Sequence, residues 1–307
     1  MTSPTPYDGL ATWKLRLLAR IQKTSADHAR VLRSGYPEYQ RHYGAGDIPI
    51  QTWRTHLRAI AADLDDMTAH AAAADIPSRA IDDALAAGAR GELWGDSVHT
   101  PPALAHGETE VSAHMVDGVA ADIWQLEHMA ALRVEHTARG LDARVSAEEI
   151  ADFDVNMESL RARATMTADA IELPERDRAE IWNRTRDGWQ RLAEATVLVY
   201  SDTELHERWR TMAWPGLAFE ARRDLDTLTA TTLGHPPPTR EQLIIHASQA
   251  IADANANANY GPPPLFGEAI AASVGEDLAA HWADPDPGFT GEPADPTPRA
   301  EPPGHEL

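Results

Sequence analysis

The sequence predicts an all-α protein, a multi-helix bundle of roughly eight to ten helices with a disordered, acidic, Pro-rich C-terminal tail. Three observations predict it. Apolar residues recur at helical spacing along most of the 307 residues. Capping boxes, prolines at starts and glycines at ends punctuate that pattern. Strand-type alternation is missing: the one run dense in β-branched residues, Thr196 to Tyr200, ends a helical pattern and reads as a helix terminus.

Taken in order, Leu10, Trp13, Leu17, Ile21 and His28 set the first helix. The stretch from Gly35 to Gly46 lacks an apolar stripe and is expected to be a surface loop. Trp53, Leu57, Ile60, Leu64, Met67 and Ala71 then make an i, i+4, i+7 stripe. A short helix follows Pro77, from Ala80 to Ala89, and stops at Gly91. Residues 95–107, rich in Gly, Pro and His, read as a loop. They leave room for two helical lobes: an N-terminal region, 1–94, with a basic, Tyr-rich start, and a main bundle, 108–283.

The longest helix should run from Glu108 to Arg139, with Met115, Val119, Ile123, Leu126, Ala130 and Val134 on one face and Gly140 as its C-terminal cap. Ser146 with Glu149 is a capping box ahead of Ile150, Phe153, Met157 and Leu160. Pro174 opens a helix carrying Ile181, Trp182, Trp189, Leu192 and Val199. Ser201 with Glu204 and Thr239 with Gln242 are two further boxes, and Trp214-Pro215-Gly216 should break the chain between them. Residues 284–307 hold seven prolines, six acids and one arginine. Such a tail cannot bury enough surface to offset its ordering entropy, so disorder is expected there.

Composition narrows the function. Lys and Arg number 27 against 48 Asp and Glu, a formal charge of −21, which opposes general adhesion to DNA or anionic lipid. There is no cysteine, which excludes disulfides, Cys-zinc sites and thiol catalysis. No run of about 18 apolar residues predicts a membrane span. Met1 to Pro6 contain no apolar segment of a signal peptide, so the expected location is the cytoplasm. Nine tryptophans against four phenylalanines supply the bulk that Ala-rich helices lack, and most should be core.

Catalytic signatures are missing: no phosphate-binding loop, no G-x-G-x-x-G, no G-x-S-x-G, no H-E-x-x-H, and no histidine with Glu three residues before it. No catalytic residue, metal or cofactor is therefore expected. Two helical stripes come closest to a site. His56, Asp63 and His70 share an edge with Asp66 beside them. Glu110, His114 and Asp117 fall at i, i+4, i+7, and their stripe continues through Ala121, Trp124 and His128. Facing one another, such helices can hold a metal, which defines one reading, a helical metalloenzyme. The simpler expectation is solvated faces, since Asp66–His70 and Glu110–His114 are acid-first pairs worth about 0.2–0.5 kcal/mol each on an exposed helix.

Two sets of residues suit partner binding. Trp124 and Leu132 interrupt the polar stripe of the long helix, so that face is either covered by another helix of the chain or is a partner surface anchored by Trp124 and Leu132, with His128 and Glu135 at its rim. The other set is basic. Residues 1–60 hold nine Lys/Arg, four acids and four of the six tyrosines, an excess of five positive charges, leaving −26 on the remaining 247 residues. Arg30, Arg33, Tyr36, Tyr39, Arg41 and Tyr43 interleave cations with aromatic rings, a chemistry that suits phosphate contact with stacking, or an acidic protein surface. The expectation is a non-enzymatic helical interaction or accessory protein of a larger cytoplasmic assembly. The alternative is a nucleic-acid-associated accessory protein, as of a mobile element, docking through residues 14–58. The sequence does not specify the oligomeric state.

Overall fold

The computed structural model describes residues 6–44, 47–95, 110–228 and 234–258. Its α-helices, in order, are α1 (Thr12–Tyr43), α2 (Asp47–Ala73), α3 (Ser78–Arg90), α4 (Glu110–Ala138), α5 (Ala147–Ala170), α6 (Glu175–Trp182), α7 (Arg186–Ala195), α8 (Asp202–Met212), α9 (Gly216–Leu225) and α10 (Arg240–Ala258). A 3-10 turn, Leu141–Arg144, links α4 to α5. Among the described residues there is no strand, and no helix is long and apolar enough to cross a membrane. The all-α bundle is as the periodicity predicts. The tail at 284–307 lies outside the described residues.

The caps follow their sequence signals. Ser146 and Ser201 each accept from the backbone of Glu149 and Glu204, and those glutamates return the bond. Thr239 and Gln242 do the same at α10. Gly91 and Gly140 take the left-handed conformation after α3 and α4, where a Cβ would be strained.

Two expectations are corrected. Over its described residues the stretch from Gly35 to Gly46 is not a loop: α1 kinks at Gly35 (φ 62°) and resumes helically to Tyr43. Pro37 falls in the first turn of the resumed segment, where its missing N–H costs nothing. The helix expected to run on from Pro174 is two, α6 and α7, because Asn183 leaves helical geometry and Thr185 caps a new start by accepting from Gly188 N.

α4 is the axis of the bundle. It packs against α1, α5, α6, α8 and α10, while α1 packs on α2 and α3. From Asp122 to Leu132 only Gln125 is not fully buried. One apolar cluster runs from Trp13, Leu17 and Ile21 through Ile123, Leu126 and Met129 to Phe153, Leu205 and Trp209, so residues on both sides of the 96–109 stretch share a core. Trp13, Trp124, Trp182, Trp189 and Trp209 are all buried in it.

Candidate functional site

Two arrangements collect the polar chemistry of the chain, one inside the bundle and one at its surface. The interior one is a row of rings. Trp13 on α1 lies 6.1 Å from His70 on α2, His70 stacks on Trp124 at 4.9 Å, Trp124 lies 5.8 Å from His128, and His128 lies 6.1 Å from Tyr200. Trp124 Nε1 donates to both oxygens of Asp66 at 3.2 Å. Arg184 covers the Trp124 ring at 5.7 Å, and Arg208 covers Tyr200 at 5.4 Å.

Burial sets the protonation of this row. It pushes His70 well below its ordinary value, with Arg184 and Arg20 adding to the effect, and takes His128 down to about 4, aided by Arg208. Both imidazoles are therefore neutral near pH 7. Burial raises Asp66, against the opposing bond from Trp124, and raises the Tyr200 hydroxyl. Next to His128, the wholly buried Glu127 is raised by desolvation and drawn back by Arg184. Among the described residues His128 Nε2 has no hydrogen-bond partner. The rings are packed against one another, and no group of three or more His, Asp or Glu among the described residues is placed to hold a metal ion.

These placements correct the solvated-face expectation. His70, Trp124, His128 and Leu132 are buried, as is Glu135, so Trp124, His128 and Leu132 are not anchors for an outside partner. Helices of the same chain cover them. The physical reason is that from Asp122 to Leu132 α4 is covered almost all round, and the buried carboxylates of α4 are neutralised by arginines. Asp122 meets Arg163 at 2.6 Å, Glu127 meets Arg184 at 2.5 Å and Glu135 meets Arg139 at 2.7 Å. Asp117 pairs with Arg16 at 2.7 Å, tying α4 to α1. His56, Asp63 and His114 are exposed and stand apart from the row. The Asp96-to-His99 motif lies outside the described residues.

Sequence reasoning missed the Glu127–Arg184 pair. A usable signal was present: Ile123, Leu126, Met129, Ala130, Ala131 and Leu132 point in every direction around the helix, so Glu127 and His128 between them must be inside. It also missed Arg178, which is buried, pairs with Asp169 at 2.7 Å and donates to the carbonyls of Ala168 and Leu173, closing the end of α5.

The surface arrangement lies where α1 and α2 meet at their joined ends. Arg30, Arg33, Arg41, Arg54 and Arg58 are exposed, as is Tyr43, while Tyr36 and Tyr39 are half-buried. Tyr39 stacks on Tyr43 at 6.4 Å, and its hydroxyl is hydrogen-bonded to His56 Nδ1. Arg30 pairs with Asp27 on its own helix at 3.1 Å, and Arg33 donates to the Ala29 carbonyl. Among the described residues Arg33, Arg41, Arg54 and Arg58 make no ion pair. The structure thus gathers the tyrosines and arginines of the basic segment at one end of a helical hairpin. No family model, no curated protein and no solved structure matches this chain.

Proposed function

We propose that this chain is a non-enzymatic helical interaction protein, an accessory component of a larger cytoplasmic assembly, which docks an acidic segment of a protein partner through the joined ends of α1 and α2. The observation that supports it is the set of arginines there, Arg33, Arg41, Arg54 and Arg58, exposed and, among the described residues, without an ion pair beside the Tyr39–Tyr43 stack. In a chain with 21 more acids than bases, a cation left unpaired is more useful to a partner than to the fold. The overall negative charge favours a short acidic protein segment over nucleic acid. At physiological salt the acidic body is screened beyond about 8 Å from the hairpin end, but a nucleic acid running past that end meets the body itself.

The test is the triple substitution Arg33→Ala, Tyr39→Ala, Arg41→Ala in the full chain. Deleting the first helix is no substitute, because Leu17, Leu18 and Ile21 are core. Stability should fall by no more than about 1 kcal/mol, since these are exposed or half-buried side chains. Capture of the native partner from lysate should be lost. Undiminished capture defeats the proposal, and a salt-sensitive shift of short DNA by the unmodified chain favours nucleic acid in its place.

A further inference from the structure

Between α5, α9 and the start of α10 lies an open groove of about 390 Å³. Val155, Ala162 and Leu225 form its apolar lining. Val155 remains 41 % exposed, and Phe219, one turn before Arg222 on α9, is 68 % exposed. Trp214, at the entry to α9, is 57 % exposed, its ring lying so close over Gly216 that a Cβ there would meet it at 2.2 Å. Large apolar side chains grouped in the open beside a groove point to a surface that is covered by something else.

The charges of the groove bear on what covers it. Asp154 is neutralised by Arg133 and by Arg240, the latter at 3.0 Å. Glu158 on α5 and Arg222 on α9 also line the groove, and both are exposed. Among the described residues neither makes an ion pair. An exposed acid on α5 and an exposed base on α9, both lining one apolar groove, can form a self-complementary surface. Under a two-fold rotation the acid of one copy meets the base of the other, and the reverse. The chain carries both halves of the match itself.

We propose that this groove is the interface of a symmetric dimer with a second copy of the chain. Glu158 pairs with Arg222 of the partner subunit, Arg222 pairs with Glu158 of the partner subunit, and Val155 and Phe219 are covered between them. The proposal is independent of the hairpin-end reading, whose residues lie on other helices.

Sedimentation equilibrium of the full chain tests it. The wild type should move from monomer to dimer mass as concentration rises. Phe219→Glu should stay monomeric. Glu158→Arg and Arg222→Glu should each weaken association about tenfold or more, because like charges are brought together. The double variant, Glu158→Arg with Arg222→Glu, should regain association, since swapping both charges restores the match only between copies of one chain. These positions are exposed, so the variants should fold, which circular dichroism checks. A wild type that is monomeric up to its solubility limit overturns the proposal. So does dimerisation indifferent to Phe219→Glu, or a double variant as weak as the singles.

Discussion

Arg184, in the turn between α6 and α7, holds the carboxylate of Glu127 inside the bundle: Nε and Nη2 approach the same oxygen, Oε2, at 2.6 and 2.5 Å. Both side chains are almost fully buried, and Arg184 also lies over Trp124. The pair explains why α4 can carry a carboxylate at the centre of the fold. Desolvating two charges is costly, and their mutual attraction offsets that cost only while both are present.

Removing one partner should therefore hurt more than removing both. Glu127→Ala or Arg184→Ala should each cost about 3–5 kcal/mol, because the survivor becomes an uncompensated buried charge. Glu127→Leu combined with Arg184→Met should cost less than either single change. Urea unfolding of the four proteins reads this directly. Additive losses would mean that the two charges do not depend on one another.

His128 gives the chain a pH dependence of defined sign. Its folded value is about 4, against an ordinary value of 6.5. Between those values the unfolded chain binds a proton that the folded chain refuses, so stability rises with pH across that window. Acidification from pH 6.5 toward 4 removes up to about 3 kcal/mol through this one group. His70 acts in the same direction. The difference in stability between the wild type and His128→Gln, followed from pH 7 to pH 4, should shrink as the pH falls. A constant difference would show that His128 titrates as an exposed histidine does.

The elements were legible because their signals are local. The Ser146–Glu149 and Ser201–Glu204 boxes, Gly91, Gly140 and the Pro215 break all depend on residues within one turn of the boundary they set. Sidedness was not legible in the same way. Asp66 and His70 carry the pattern of an exposed acid–base pair, yet Asp66 accepts from Trp124, 58 residues away, and His70 stacks on that ring. A charge looks solvated in a helical pattern unless its partner can be seen, and the arginines that neutralise Asp122 and Glu127 lie on α5 and beyond α6. The Tyr39–His56 bond was hidden for the same reason, since the kink at Gly35 that orients it reads as the end of a helix.

The approach of α3 to α1 depends on a missing side chain. A Cβ at Gly88 would lie 2.2 Å from the Gln22 carbonyl oxygen and 2.7 Å from Ser25 Cβ. The first contact is backbone, so the helices must separate. Gly88→Ala should destabilise by about 2–3 kcal/mol, despite the better helix propensity of alanine. At Gly118 on α4 a Cβ meets nothing within 4 Å, and Gly118→Ala should stabilise by up to about 1 kcal/mol. Thermal melts of the two variants should move in opposite directions. A neutral Gly88→Ala would mean that α3 is free to shift.

Asn156 on α5 is fully buried and bridges the turn from α8 into α9. Its Nδ2 donates to the carbonyls of Met212 and Trp214 at 2.7 and 3.0 Å, and its Oδ1 accepts from Ala218 N at 3.0 Å. The Trp214-Pro215-Gly216 break leaves the Met212 carbonyl and the Ala218 N–H without helical partners, and the amide side chain supplies them; the Trp214 carbonyl also accepts from Leu217 N at 3.1 Å. Asn156→Ala strands the Ala218 N–H and the Met212 carbonyl and should cost about 3 kcal/mol. The loss should be uneven. Ala218 and Ala221 are the buried residues of α9 and Leu217 packs partly on the core, so its apolar anchorage is slight and Asn156, with the Arg163–Asp224 pair, ties it to α5. Hydrogen exchange in Asn156→Ala should therefore quicken across Gly216–Leu225 well before it quickens in α4, whose burial does not depend on this turn. Equal protection of α9 in the variant and the wild type would show that packing on α5 suffices without the amide. In that case the frame that holds Phe219 and Arg222 at the groove rests on Ala218, Ala221 and the Arg163–Asp224 pair.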